Sequence, residues 1–112
     1  MNARRLEALR ARAEIIKALG HPSRLFIVEE LARGESCVAE ITAKVGADMS
    51  TVSRHLGILK EAGIIRSARR GAQVYYRLQV PCILNFFGCV EAVLQSSAKE
   101  RTRLAQSVGR RR

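Results

Sequence analysis

What the chain has little of narrows the choices before any motif is read. Tryptophan is absent, and aromatic residues make up 4% of the 112 positions. No segment joins a strongly basic face to a row of large aromatics, as a membrane-surface helix requires, so no membrane partner is expected. Long apolar runs are missing too. The longest, within PCILNFFGCVEAVL, is too short and too interrupted to span a bilayer. The start, MNARRLEALRARAEIIKAL, is charged and amphipathic throughout, so no signal peptide is expected and the chain is placed in the cytoplasm. Two histidines, ten carboxylates and no nucleophile–base cluster leave an enzyme nothing to build on. The cysteines are three, Cys37, Cys82 and Cys89. An odd count argues against a disulfide framework and for free thiols or ligands.

Positive charge, by contrast, is plentiful. Twenty Lys and Arg against ten Asp and Glu give a net charge of +10 and a pI near 10.8. A polyanion suits this balance, because each neutralised phosphate releases counterions. A solvated basic surface is the bland alternative. The length predicts one small domain over residues 1–108, near the lower end of what buries a respectable core alone, so stabilisation by dimerising is expected. Residues 109–112, Gly109 followed by three arginines, read as a disordered basic tail.

Leu6, Leu9, Ala13 and Ile16 recur at helical spacing and predict a first helix over 4–19, ended by Gly20. His21-Pro22 restarts the chain, with proline suited to a first helical turn. Leu25, Val28, Leu31 and Ala32 give that second helix its expected core face, and Gly34 closes it. Ser36 is the expected cap of a third helix with the stripe Val38, Ile41 and Val45. Asp48 caps a fourth, running to about Ala62, whose inward stripe is Val52, Leu56 and Leu59. Residues 64–69 and 74–79 read as a hairpin around Arg70-Gly71-Ala72. Pro81 opens a last helix, about 82–105, with Ile83, Phe87, Val90 and Leu94 on one face. The fold class is mainly α with a small β-hairpin. Four helices, two strands and a helix make a winged helix-turn-helix.

The functional reading centres on residues 50–78, STVSRHLGILKEAGIIRSARRGAQVYYRL. Two short helices joined by Gly46-Ala47-Asp48 suit a steep crossing, one bracing on the DNA backbone and the other entering the major groove. The groove-facing set is Ser50, Thr51, Ser53 and Arg54. Small hydroxyls allow close approach, and Arg54 can donate two bonds to a guanine edge. His55 falls near the core edge, as a structural residue or a phosphate contact. Arg66, Arg69 and Arg70 of the wing are candidate phosphate or minor-groove contacts, taken together as a patch. The expected partner is double-stranded operator DNA, an inverted repeat read by a dimer with one groove per subunit.

Residues 15–78 resemble the ArsR/SmtB family of metal-responsive winged-helix repressors. The resemblance rests on the HPSRL opening of the second helix, on ESCVAEI, on STVSRHLGILKEAGII and on RGAQVYYRL. It implies a homodimer joined through the first and last helices, and an inducer, often a metal or metalloid, that releases the operator. In that family the stretch matching Glu35 to Ala39 often carries two cysteines one residue apart. Here Cys37 is present and Ala39 replaces the second, so the usual arsenic pair is incomplete.

Cys82 and Cys89 are candidates to complete a soft As(III) or Sb(III) site with Cys37, since three thiolates suit such a trigonal centre. Seven residues apart on one helix they stand ~10.5 Å apart along the axis, too far to share an ion directly. The site therefore requires Cys82 to lie before the regular helix, folded back by Pro81, with Asn85 as the cap. By resemblance, a short strand at Glu35-Ser36-Cys37 beside Gln79-Val80 brings Cys37 near Cys82, within one subunit or across the dimer. Buried small hydrophobes are the plain alternative for all three cysteines. Zinc is disfavoured because neither histidine lies on the last helix, while cadmium or lead on thiolates stays open. A thiol redox or persulfide switch on the same fold, and a constitutive basic DNA-binding module, are the competing functions.

Overall fold

The computed structural model describes residues 1–110, with side chains through Gln106. Of the basic tail, Gly109 and Arg110 continue the last helix in backbone, and residues 111–112 lie outside the described part. The chain divides into two compact units, Met1–Pro81 and the segment from Cys82 onward.

Helix starts in the first unit follow from side chains that satisfy free amides. In α1 (Ala3–Ala18) the Asn2 side chain accepts from the Arg5 N–H at 2.8 Å. In α2 (Pro22–Arg33) the ring Nδ1 of His21 accepts from the Ser23 N–H at 3.0 Å, and Pro22 fills a position whose amide has no intrahelical partner. Helix α2 buries Ile27, Val28 and Leu31. The expected core face was rotated: Leu25 stays 38% exposed and Ala32 is exposed. At 100° per residue Arg24, not Leu25, shares the inward side, and a buried histidine receives it there.

Ser36 does not cap the next helix. It belongs to a two-residue strand, β1 (Ser36–Cys37), and pairs with Tyr76. Cys37 is the N-cap residue of α3 (Val38–Val45) and makes no side-chain cap bond to the backbone. Gly46, at φ 76°, ends α3 in the left-handed conformation that a Cβ disfavours.

In α4 (Met49–Glu61) the Asp48 carboxylate accepts from the Thr51 N–H at 3.3 Å and from the Ser50 and Thr51 hydroxyls. Those hydroxyl bonds, Ser50 first, pull its pKa down to about 2. The charged cap thus stabilises the fold above the ordinary aspartate range, and that contribution is lost as pH falls through about 2. We expect Asp48→Ala to lower the melting temperature by several degrees and Asp48→Asn, which keeps an acceptor, by much less. Thermal circular dichroism at neutral pH checks this; equal losses in both variants would mean that capping is not what Asp48 contributes.

Strands β2 (Ile65–Arg70) and β3 (Gln73–Leu78) form the wing around Gly71-Ala72, and the sheet order is β1-β3-β2, all antiparallel. Ile27, Val28, Val52, Leu56, Leu59, Ile64 and Ile65 are the fully buried centre of the unit. Each such side chain contributes ~1.5–3 kcal/mol by leaving water.

The second unit is α5 (Ile83–Arg110), longer than the sequence pattern suggested. Phe86, Val90, Val93, Leu94 and Leu104 stay exposed on it, Val93 at 64%. Among the described residues no helix is long and apolar enough to cross a membrane.

Candidate nucleic-acid interface and thiol positions

Helix α4 separates into a buried stripe, Val52, His55, Leu56 and Leu59, and an exposed side with Ser50, Ser53, Arg54 and Gly57. Thr51 is half-buried between them. The Thr51 hydroxyl donates to Asp48 Oδ1 at 2.6 Å, and the Ser50 hydroxyl donates to Oδ2. With those protons committed, Ser50 and Thr51 offer a ligand lone pairs only. Ser53 and Arg54 remain the exposed donors of the expected groove-facing set, and among the described residues Arg54 has no ion pair.

His55 does not belong with that set. It is 8% exposed, its ring packs on His21 at 4.4 Å between centroids, and its Nδ1 lies 3.1 Å from the Arg24 guanidinium. A guanidinium can only donate, so this Nδ1 carries a lone pair and the ring is neutral with its proton on Nε2. Burial, then the nearby His21, Arg24 and Arg54, pushes the His55 pKa below the ordinary histidine value. Arg24 also donates from Nε to the Ala18 carbonyl at 2.6 Å, tying the end of α1 to α2 and α4. The HPSRL segment is thus a clamp on the recognition helix. The Arg24 guanidinium and the His21 Nδ1 are engaged within it.

The wing sheet has two chemically distinct faces. Ile65 is buried and Ser67, Val74, Tyr76 and Leu78 are half-buried on one. Arg66, Ala68, Arg70, Gln73 and Arg77 are exposed on the other, with half-buried Tyr75. Arg69 is exposed near the tip. Arg70 forks onto Glu35, with Nη2 3.0 Å from Oε2 and Nη1 closing on Oε1, and its guanidinium lies 5.1 Å from the Tyr75 ring centre. A cavity of about 320 Å³ on this face is lined by Glu35, Arg66, Ser67, Ala68, Arg70, Tyr75 and Arg77. Arg77 and Glu35 escaped the sequence reading. Strict alternation from Arg66 across the hairpin would have found Arg77.

All three cysteines are free. Cys37 is 7% exposed, and its thiol donates to Glu40 Oε1 at 3.1 Å. That bond, followed by the Cys37 backbone N–H, holds the Glu40 carboxyl below its usual range. Glu40 is thus half of a capping box, three residues into α3 and reaching back to the N-cap. The strand register differs from expectation. Cys37 pairs with Tyr75 and Ser36 with Tyr76, not with Gln79 and Val80, so β1 lies nearer the wing tip along β3. Cys82 lies just before α5, and its carbonyl accepts from the Asn85 N–H at 3.0 Å. Asn85 is therefore inside the first turn rather than its cap. Cys82 and Cys89 are exposed and belong to the second unit, Cys37 to the first. Among the described residues no three or more His, Cys, Asp or Glu side chains are gathered to hold a metal ion. What fits a soft ion is the donor chemistry, three reduced thiols, not a preassembled cage.

Residues 21–67 match the family model described as bacterial regulatory protein, arsR family. The biofilm growth-associated repressor of Agrobacterium fabrum is 44% identical over 66 residues, covering 59% of this chain and 56% of that protein. The chain thus spans little more than half the length of the curated repressor it matches. The uncharacterised HTH-type regulator Rv0081 of Mycobacterium tuberculosis is 30% identical over 98 residues, 87% of this chain and 86% of that one. Its crystal structure superposes with a TM-score of 0.75, covering 85% and 96% of the two chains. The homodimeric winged helix-turn-helix domain of Mb0332 from Mycobacterium bovis, a possible ArsR-family regulator, gives a TM-score of 0.74 at 30% identity, covering 89% and 93%.

Proposed function

Because the chain belongs to the ArsR family of bacterial regulatory proteins, we propose that it is a homodimeric transcriptional repressor, released from its operator when a thiophilic inducer engages its cysteines. The observation that carries the DNA half is the sorting of α4. Its apolar side and His55 are sealed in the core while Ser53 and Arg54 stand exposed beside a basic wing. Arg54 reads a base edge, Ser50 and Thr51 accept from a base amino group, and Ser53, Arg66, Arg69 and Arg70 set register against the backbone. An inverted repeat matches two such heads.

The inducer is As(III) or Sb(III), held by Cys37, Cys82 and Cys89. Cadmium and lead share the preference for sulfur, and zinc suits this donor set less well. Binding a thiophilic ion at Cys37 requires its thiol to surrender the proton now shared with Glu40. The Glu40 charge favours a cation there. Release follows only if the ion binds the low-affinity conformation more tightly, by ~1–3 kcal/mol for a ~5–150-fold change in operator affinity. Exposure of the free Cys82 and Cys89 favours a second reading, oxidation or persulfidation of those thiols.

The test is fluorescence anisotropy on an operator duplex obtained by in vitro selection. Under full reduction we expect arsenite to dissociate the wild type and to leave Cys37→Ser and Cys89→Ser bound. Normal dissociation of both variants removes the thiol site. Release by oxidant or sulfane sulfur, with no response to arsenite, selects the second reading.

A further inference from the structure

Arg66 and Arg77 are direct cross-strand partners on the exposed face of the wing sheet. Two cations opposite one another in a ladder repel, and sheets ordinarily pair opposite charges at such positions. Among the described residues neither arginine has a carboxylate partner, and the ion pair of this face is Glu35–Arg70. Three guanidinium groups and one carboxylate therefore line the same 320 Å³ hollow. Arg70 is held in place twice, by the Glu35 fork and by the Tyr75 ring beneath it, so its position is set before any ligand arrives.

We propose that this face of the wing is a phosphodiester-binding site built by Arg66, Arg77 and Arg70, and that Glu35 is its built-in competitor. The site rests on the DNA-binding reading above and adds to it. The unpaired Arg66–Arg77 couple takes a backbone phosphate, which relieves their repulsion. Glu35 occupies the Arg70 fork until a second phosphate displaces it, because carboxylate and phosphate present the same two-oxygen edge to a guanidinium. Glu35 directly precedes β1, the strand that also carries Cys37, and Cys37 is paired across the ladder with Tyr75. The counter-ion of the wing and the innermost thiol thus share one short segment of backbone. Any inducer that shifts this segment also resets how much of Arg70 is available to DNA.

The phosphate could equally belong to a small free ester, so the experiment separates the two. A mixed-sequence 24-base-pair duplex, which needs no knowledge of the operator, is titrated by anisotropy across a salt series. We expect Arg66→Gln and Arg77→Gln each to flatten the slope of log affinity against log salt by ~0.9 for every phosphate no longer neutralised. Arg4→Gln, which removes the same charge from the exposed start of α1, should leave the slope in place. Glu35→Gln should tighten binding across the salt series and keep the slope, because Arg70 reaches the same phosphate without first leaving a carboxylate. Unchanged slopes in the Arg66 and Arg77 variants overturn the site, and an affinity unchanged or weakened by Glu35→Gln overturns the competitor role. So does the remaining arm: if ATP perturbs Arg66 and Arg77 resonances while duplex binding ignores both residues, the pocket serves small phosphates instead. A wild type that fails to bind duplex even at low salt defeats the repressor reading itself, a different result from any of these.

Discussion

Val93→Glu combined with Leu94→Glu is expected to turn a dimer into a folded monomer and to weaken operator binding by about 100-fold or more. At 100° per residue, Phe86, Val90, Val93, Leu94 and Leu104 fall on one side of α5. In the single chain all five stay exposed, Val93 and Leu94 at 64% and 55%. A soluble helix does not leave such a stripe in water without a partner. Helix α1 tells the same story: it buries only Ala18 and leaves Ile15 and Ile16 at 43% and 53%. Two chains joining these faces cover both. Four glutamates in that seam, two from each subunit, lose hydration without gaining counter-ions, which is among the costliest substitutions an interface can suffer. The fold of residues 1–81 draws its core from Ile27, Val28, Val52, Leu56, Leu59, Ile64 and Ile65, so it survives. One reading head then holds one half-site and the gain from linkage is gone. Sedimentation with anisotropy on the same samples measures both effects; a variant that remains dimeric would place the interface elsewhere.

The parts of this fold legible in the sequence are those where a local signal and the tertiary structure agree. His21-Pro22, Asp48 and Gly46 start and stop helices as their chemistry dictates, and Val52, Leu56 and Leu59 point inward as their spacing requires. Elsewhere a good local signal lost to a distant partner. Ser36 is a fine cap residue, but pairing with Tyr76 recruits it into a strand too short to leave a periodic trace. Leu25 looks like core and Arg24 like surface. The buried ring of His55 reverses them, since an inward arginine is tolerable once its guanidinium has an acceptor. The same buried partnership removed His55 from the DNA-facing set.

The cysteines were legible as chemistry and not as geometry. Three soft donors are countable in the sequence, whereas the register that sets Cys37 opposite Tyr75 depends on strand pairing that no cysteine spacing encodes. The sequence pattern starts the last helix at about Cys82, and a shared thiol site requires that residue to lie before it; α5 begins at Ile83, and the reason is local, since the chain turns at Pro81. Arg77 was missed because a single arginine in YYRL reads as an ordinary solvated residue until its cross-strand neighbour is known to be another arginine.

Mild acid is expected to loosen the recognition helix through His55, and replacing that ring should abolish the effect. Its Nδ1 accepts from Arg24 while His21 stacks against it and caps α2 with its own Nδ1. The charged groups facing it are Arg24 and Arg54, with His21 as the titratable neighbour, so nothing nearby welcomes a proton. The folded pKa therefore lies below the unfolded one, and as pH falls the unfolded chain takes up the proton first. Stability from this group is complete above the ordinary histidine range and is lost as pH drops from there towards the depressed value. Protonation turns Nδ1 into a donor aimed at a donor, which breaks the tie from α2 to α4 and frees the element that carries Ser53 and Arg54. Wild type should thus lose several degrees of melting temperature, and much of its operator affinity, between about pH 7.5 and pH 5.5. His55→Asn keeps an acceptor near the Nδ1 position and cannot titrate; its melting temperature should start lower, from lost packing, and then stay flat over the same interval. His21→Asn, an equally good cap, removes the stacked neighbour and should soften the wild-type drop without erasing it. A His55→Asn protein whose stability and DNA binding fall with acid as steeply as wild type would locate the sensitivity in some other group.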